Sequence, residues 1–261
     1  MRMRFENKVV IVTGAGKGIG KAISMAFARE GAKLVLAGRT EADVVEVSGE
    51  IASFGGKSIP VVCDVMQEQS IIDMVARAYD EYKTVDVLVN NVGLRGPVLP
   101  VAEMNKKQWD ETFAANITGT MLASREVLKY MIPNRKGAII SISSDFGKRG
   151  EADRSAYCCT KWAQVGFTQC LAREVAKYGI RVNCVCPGTV AGDRIMTLVK
   201  AEAKRLNISE EEYYKMLVAE TLIGRLVTAE EIADAVMYLA SDASSAINGQ
   251  SINVCGGTVF N

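Results

Sequence analysis

Apolar residues along this chain gather into short β-branched runs, separated by longer stretches with helical spacing. The runs occupy positions 9–12, 34–36, 59–63, 85–89, 138–142, 181–185 and 251–254. They do not alternate polar with apolar residues, which predicts strands covered on both faces. Helical patterns lie between them at 18–29, 41–54, 68–82, 107–131, 155–177 and 229–240. Alternation of this kind implies right-handed βαβ units and an α/β fold with one doubly wound parallel sheet of about seven strands. No linker, repeat or low-complexity tract divides the chain, so 1–261 is expected to be a single domain.

One stretch breaks the rhythm. Positions 189–226 follow a strand but read as long, helical and charged, with Ser209 as an N-cap before Glu210, Glu211 and Glu212. An insertion at a strand's carboxyl end sits beside the ligand crevice of such a sheet. It is expected to be a substrate lid, with a surface helical pair as the alternative.

Composition narrows the chemistry. The chain has 261 residues, 31 Lys+Arg, 30 Asp+Glu and a formal charge of +1, which gives no basic field for nucleic acid or an anionic membrane. It contains no histidine. That excludes His–metal sites, a Ser–His–Asp triad and any imidazole base, and no metal is expected. Proton chemistry must then run on Tyr, Lys, Asp, Glu or Cys. The seven cysteines are odd in number and form no CxxC pair, which suggests reduced thiols. Met1-Arg2-Met3-Arg4 is followed by no apolar stretch of signal-peptide length, and no apolar run approaches the length needed to span a bilayer. A cytoplasmic location is the expectation.

The first run ends in Thr13-Gly14-Ala15-Gly16-Lys17-Gly18-Ile19-Gly20, where a helix opens. Glycines there let the backbone turn sharply and approach a pyrophosphate, whose charge the helix N-terminus stabilises. Further on, Tyr157 and Lys161 are four apart on a predicted helix and share one face. A phenol has a reference pKa of ~10 and is a poor base at neutral pH. A close ammonium favours the phenolate. Lowering that pKa by roughly 3 units needs about 4 kcal/mol of differential stabilisation. Ser144 follows a strand end at the crevice mouth, where its hydroxyl can hold a substrate oxygen while Tyr157 exchanges the proton. Ser143 competes for that role.

The spacing Thr-Gly-x-x-x-Gly-x-Gly resembles the short-chain dehydrogenase/reductase family in its single-domain, Rossmann-like form. Further marks of that family follow in order: Asp64-Val65, Asn90-Asn91-Val92-Gly93, Asn116, Ser144, Tyr157-Cys158-Cys159-Thr160-Lys161, Asn183 and Pro187-Gly188. The resemblance implies catalysis by Asn116, Ser144, Tyr157 and Lys161, with Ser144 preferred over Ser143 by its separation from Tyr157. Asn116 would shape its helix and support a water chain leading from the lysine. A dinucleotide would be held by Gly14, Lys17, Gly18, Ile19, Gly20, Arg39, Asp64, Val65, Asn91, Gly93, Tyr157, Lys161 and the Val190 backbone. NAD-dependent members place an Asp at the end of the second strand. That position here resembles Gly38, followed by Arg39, and Arg39 and Lys17 favour the 2′-phosphate of NADP(H). Val92 stands where Ala is commoner. Gly192 stands where the family usually has a Thr that contacts the carboxamide.

Together these features predict hydride transfer between NADP(H) and a carbonyl or secondary alcohol. Arg95 and Arg154 suit a small anionic hydroxy or keto substrate, unless they are solvated charges paired with Glu151 and Asp153. A non-catalytic dinucleotide-binding sensor or scaffold is the alternative, although such proteins often lose the Tyr or Lys. The resemblance also implies a homotetramer, and closed symmetry is common for such assemblies.

Overall fold

The computed structural model describes residues 3–261, apart from the side chain of Arg194. Met1 and Arg2, part of the segment read above as carrying no leader, lie outside the described residues. Among those residues, seven strands form one parallel sheet in the order β3-β2-β1-β4-β5-β6-β7. They are β1 (Val9–Thr13), β2 (Lys33–Gly38), β3 (Lys57–Val62), β4 (Val87–Asn90), β5 (Gly137–Ile142), β6 (Ile180–Pro187) and β7 (Ser251–Val254). The helices are α1 (Gly18–Arg29), α2 (Glu41–Ser53), α3 (Glu68–Tyr82), α4 (Lys106–Phe113), α5 (Gly119–Asn134), α6 (Ser155–Val175), α7 (Asp193–Leu206), α8 (Glu210–Ala219) and α9 (Ala229–Ala240). No described helix is long and apolar enough to cross a membrane.

The unbroken apolar runs serve two cores, because successive strand residues point to opposite faces. Val10, Val12, Leu34 and Leu36 pack with Phe27 of α1, Val47 of α2 and Val236 of α9. Ile11, Val35, Leu88 and Ile139 pack with Met74 of α3, Val127 of α5 and Val175 of α6. Each such side chain is wholly or almost wholly buried, worth about 1.5–3 kcal/mol apiece.

Four expectations need correction. β3 is not covered on both faces: it is an edge strand, with Lys57, Pro60 and Val62 exposed. β7, at the opposite edge, is also incompletely buried. The helix expected at 107–131 is interrupted by a wide π turn at Ala114–Thr118 that joins α4 to α5. The helix expected at 155–177 leaves α geometry at Val175, passes through a short 3-10 turn and stops at Gly179, whose φ is +70°.

The stretch 189–226 carries α7 and α8. The Ser209 hydroxyl accepts from Glu212 N at 3.1 Å, as its N-cap pattern suggests. Ile195, Val199 and Leu226 form a small core of their own with Tyr213 and Leu217, separate from the cores under the sheet. This pair of helices lines one wall of the crevice described next.

Candidate active site

Chain order reverses direction in the sheet between β1 and β4. A crevice of about 1900 Å³ opens there, beyond the carboxyl ends of the strands. Its floor is the glycine turn. Gly14 and Gly18 have φ of +66° and +53°, a region side chains disfavour. Gly20 has no room for a side chain: a Cβ would lie 2.0 Å from the Gly14 carbonyl oxygen. Asn91 pins the turn to the end of β4, donating from Nδ2 to the carbonyls of Thr13 (2.9 Å) and Gly14 (3.2 Å). The Thr13 hydroxyl accepts from the backbone N–H groups of Asn91 and Val92. Lys17 stands at the α1 N-cap without a side-chain cap, and the first turn holds no acidic residue. An uncapped helix start behind a turn with glycine at every second position fits a pyrophosphate. The residues present therefore suit a dinucleotide.

Gly38, Arg39, Asp64, Val65, Gly93 and Val190 line the same crevice, with Arg39 exposed beyond the end of β2. The Asp64 carboxylate already accepts from Met66 N at 3.0 Å. Lys17 is not an isolated cation: its Nζ lies 2.9 Å from the Asp43 carboxylate. Asp43, in the first turn of α2, also packs against Gly16. The sequence reading missed it by looking for anions only at the end of β2. Its signal was a carboxylate three residues after Thr40, at a helix start.

The proton-bearing residues come from α6. Tyr157 and Lys161 share a face, and the lysine Nζ lies 5.5 Å from the centre of the tyrosine ring. Lys161 is only 2% exposed. Its ammonium donates to the Ile142 carbonyl (2.8 Å) at the end of β5 and to Gln164 Oε1 (2.9 Å). Gly93 makes room for it: a Cβ there would sit 3.3 Å from Nζ. Behind the lysine, fully buried Cys184 on β6 has its thiol held well above the ordinary range by hydrogen bonding with Cys186 and by burial, while the Lys161 charge pulls the other way.

Asn116 sits in the π turn. Its Oδ1 accepts from Leu94 N (2.7 Å), and its Nδ2 donates to Leu94 O (2.8 Å) and Thr160 Oγ1 (2.9 Å). Both candidate serines line the crevice. The Ser143 hydroxyl donates to the Lys161 carbonyl at 2.9 Å, so it is committed to anchoring α6. The Ser144 hydroxyl donates to the Asp145 carboxylate at 2.8 Å. Asp145, itself buried, meets Arg149 at 3.4 Å. Sequence reasoning missed Asp145 and Gln164. Gln164 carried a signal as a polar residue at helical spacing from both Tyr157 and Lys161, on a face that must be buried.

Arg95 and Arg154 line the crevice together with Arg149, Glu202, Tyr213 and Glu220. Burial pushes up the Tyr213 hydroxyl pKa, and Glu202 adds to that. Arg154 and Arg95 act in the opposite sense, so both arginines are close enough to be felt by α8. Arg149 ties the wall after β5 to the far end of the helical pair through Glu220 at 3.3 Å, and it also pairs with Glu151 on its own loop at 2.9 Å.

Comparison with known proteins agrees with this architecture. The model of the family described as short chain dehydrogenase matches residues 8–203. An uncharacterized oxidoreductase of Thermotoga maritima is 35% identical over 256 residues, covering 98% of this chain and 99% of the relative. The 3-oxoacyl acyl-carrier-protein reductase of Escherichia coli is 34% identical over 255 residues, covering 98% of each. Among solved structures, a single-site variant of actinorhodin polyketide ketoreductase with NADPH superposes with a TM-score of 0.92 at 34% identity, covering 96% of this chain and 97% of that one. Fold, crevice and relatives converge: the chain belongs to the short-chain dehydrogenase/reductase family of oxidoreductases.

Proposed function

We propose that this protein is an NADP(H)-dependent carbonyl reductase, reversible as an alcohol dehydrogenase, in which Tyr157 is the proton-exchanging group. The observation that carries the reading is the buried Lys161 ammonium held 5.5 Å from the Tyr157 ring in the lining of the crevice. The cofactor, when bound, supplies or accepts the hydride. Tyr157 gives its proton to the forming alkoxide, or takes one from an alcohol. The Lys161 charge stabilises the phenolate that remains. Ser144 positions the substrate oxygen, and Asn116 braces the wall between Leu94 and Thr160. Gly14, Lys17, Gly18, Ile19 and Gly20 hold the pyrophosphate end, Asp64 and Val65 the adenine, Asn91 and Gly93 the ribose and nicotinamide side, and the Val190 backbone the carboxamide.

Support for NADP(H) comes from Arg39 and Lys17 near the adenosine end and from the NADPH in the related ketoreductase structure. Support for a keto substrate comes from ketoacyl reductases among the relatives. Arg95 and Arg154 give the crevice two cations for a small anionic hydroxy or keto compound, and α7 with α8, which line one wall, would serve as its lid. A homotetramer in the cytoplasm, within a single domain per chain, completes the reading. Its seven free thiols suit a reducing compartment.

The test is a panel of ketones, β-keto esters and hydroxy acids with NADPH and NADH, on parent and Tyr157→Phe proteins. NADPH-dependent reduction that disappears in the variant is expected. Unchanged turnover in a folded, cofactor-binding variant defeats the assignment.

A further inference from the structure

We infer that Gln164 is a positioning residue for this reaction: its amide, clamped to the main-chain carbonyl of Asn116, holds the Lys161 ammonium in register with Tyr157. The inference rests on the reading of Tyr157 and Lys161 given above.

Gln164 is fully buried, and both ends of its amide are used. Oε1 accepts from Lys161 Nζ at 2.9 Å. Nε2 donates to the Asn116 carbonyl at 2.9 Å and to Thr120 Oγ1 at 3.2 Å. The amide orientation follows from chemistry, since an ammonium can only donate and a carbonyl can only accept. The Asn116 carbonyl belongs to the π turn, and Thr120 Oγ1 donates to it as well, at 2.8 Å. The circuit then closes. Asn116 Nδ2 reaches Thr160 Oγ1, which donates to the Tyr157 carbonyl at 2.8 Å. Lysine and tyrosine are therefore tied together twice, once by α6 and once by side chains routed through the π turn.

An amide suits this place because it is neutral. A buried amide costs free energy unless it is satisfied, and an apolar side chain of similar size would fill the volume without that demand. What the amide adds is an acceptor that fixes the ammonium and leaves its charge intact. A carboxylate would neutralise that charge, and an apolar group would withdraw this acceptor from the ammonium, which keeps its bond to the Ile142 carbonyl. The family resemblance led us to expect a water chain between the lysine and Asn116. In this chain the Gln164 amide joins the two directly, and two side-chain donors already occupy the Asn116 carbonyl.

Ionisable groups around the pair include Cys184 and Cys186 on β6, Asp145, Arg149 and Glu151 after β5, Arg95 after β4, Asp153 and Arg154 before α6, and Glu202, Tyr213 and Glu220 from the helical pair and its end. Isosteric substitutions at Gln164 leave all of these in place. Tyr157 is followed by the ultraviolet tyrosinate band, titrating each protein against the same protein carrying Tyr157→Phe. Gln164→Glu is expected to raise the Tyr157 midpoint by about one unit or more, because an anion then sits beside the lysine. Gln164→Met is expected to raise it by less, because the ammonium loses its side-chain acceptor and spreads over positions farther from the phenol. Thermal unfolding and circular dichroism report whether each variant is folded. If the Glu variant does not fold, the neutral Met variant decides. Folded variants that titrate with the parent overturn the inference and leave Gln164 as core packing. A parent whose Tyr157 titrates no lower than its other tyrosines overturns the reading of the Tyr157–Lys161 pair itself, and the inference with it.

Discussion

Lys17 and Asp43 form an ion pair across the cofactor end of the crevice, 2.9 Å from Nζ to carboxylate, with the lysine 79% exposed and the aspartate 24%. The pair places an anion where the proposed 2′-phosphate would approach, and it occupies one of the two cations meant to receive that phosphate. Exposed pairs of this kind contribute only about 0.2–1 kcal/mol, so a phosphate can recruit the lysine. Asp43→Asn should therefore tighten NADP(H) by roughly 2- to 5-fold and leave NAD(H) nearly unchanged. Fluorescence titration with both cofactors checks this. Equal effects on the two would assign Asp43 to loop support.

Arg39 has no carboxylate partner among the described ion pairs. A charge-assisted hydrogen bond contributes ~1.5–3 kcal/mol, and each ~1.4 kcal/mol is tenfold in affinity. Arg39→Ala should weaken NADP(H) roughly 10- to 100-fold by that scale, with little change for NAD(H). The same titrations measure it, and an equal loss for both cofactors would mean that Arg39 does not select the phosphate.

Gly20 is the least tolerant position of the glycine turn, since a Cβ would meet the Gly14 carbonyl at 2.0 Å and Asn91 Nδ2 at 2.6 Å. The obstacle is backbone on one side and a hydrogen-bonded amide on the other, so neither yields cheaply. Gly20→Ala is expected to abolish detectable dinucleotide binding and to lower the melting temperature. Gly18→Ala, where nothing lies within 4 Å, should suffer only from its positive φ and retain more of both. Calorimetric binding on the two variants tests the ranking.

The start of α9 is fastened by a capping box in which Thr228 Oγ1 accepts from Glu231 N at 3.2 Å and Glu231 Oε2 accepts from Thr228 N at 2.8 Å. Arg225 pairs with the same carboxylate at 2.7 Å. Arg225 and the Thr228 N–H together hold the Glu231 pKa down to about 2, from 4.5. Because the folded pKa is the lower one, this stabilisation is complete above about 4.5 and is lost as pH falls toward 2. Glu231→Gln should thus lower the melting temperature at neutral pH, with the gap to the parent closing across that acid window. Thr228→Ala should cost about 1 kcal/mol. Calorimetric scans against pH decide, and a gap that does not vary with pH would remove the carboxylate from the account.

Much of this molecule is legible in its residues because apolar periodicity reports burial directly. β1, β5 and β6 lie close to their expected places, since both neighbours of each strand are other strands and both faces carry helices. β3 escapes that logic: its run of Ile59, Val61 and Val62 is apolar, yet the strand lies at the end of the sheet. The π turn at Ala114–Thr118 was equally hidden, because one added residue per turn leaves the hydrophobic spacing of α4 and α5 almost unchanged. At the site, local motifs brought Tyr157, Lys161 and the glycine turn into view. Asp43, Asp145 and Gln164 belong to no such motif. Their partners are Lys17, Ser144 and Asn116, and for Asp43 and Gln164 only the tertiary path of the chain brings donor and acceptor together.

The exposed strand β3 also limits how copies of this chain can associate. A bare strand invites another to continue the ladder, and runaway addition of that kind ends in fibrils. Pro60, in the middle of β3, has no N–H to offer an incoming chain, and Lys57 brings charge to the same margin. That side of the sheet is a dead end for growth. Strand-to-strand pairing is then left to the β7 edge, where one copy could pair with only one other, so any such pairing would close rather than propagate.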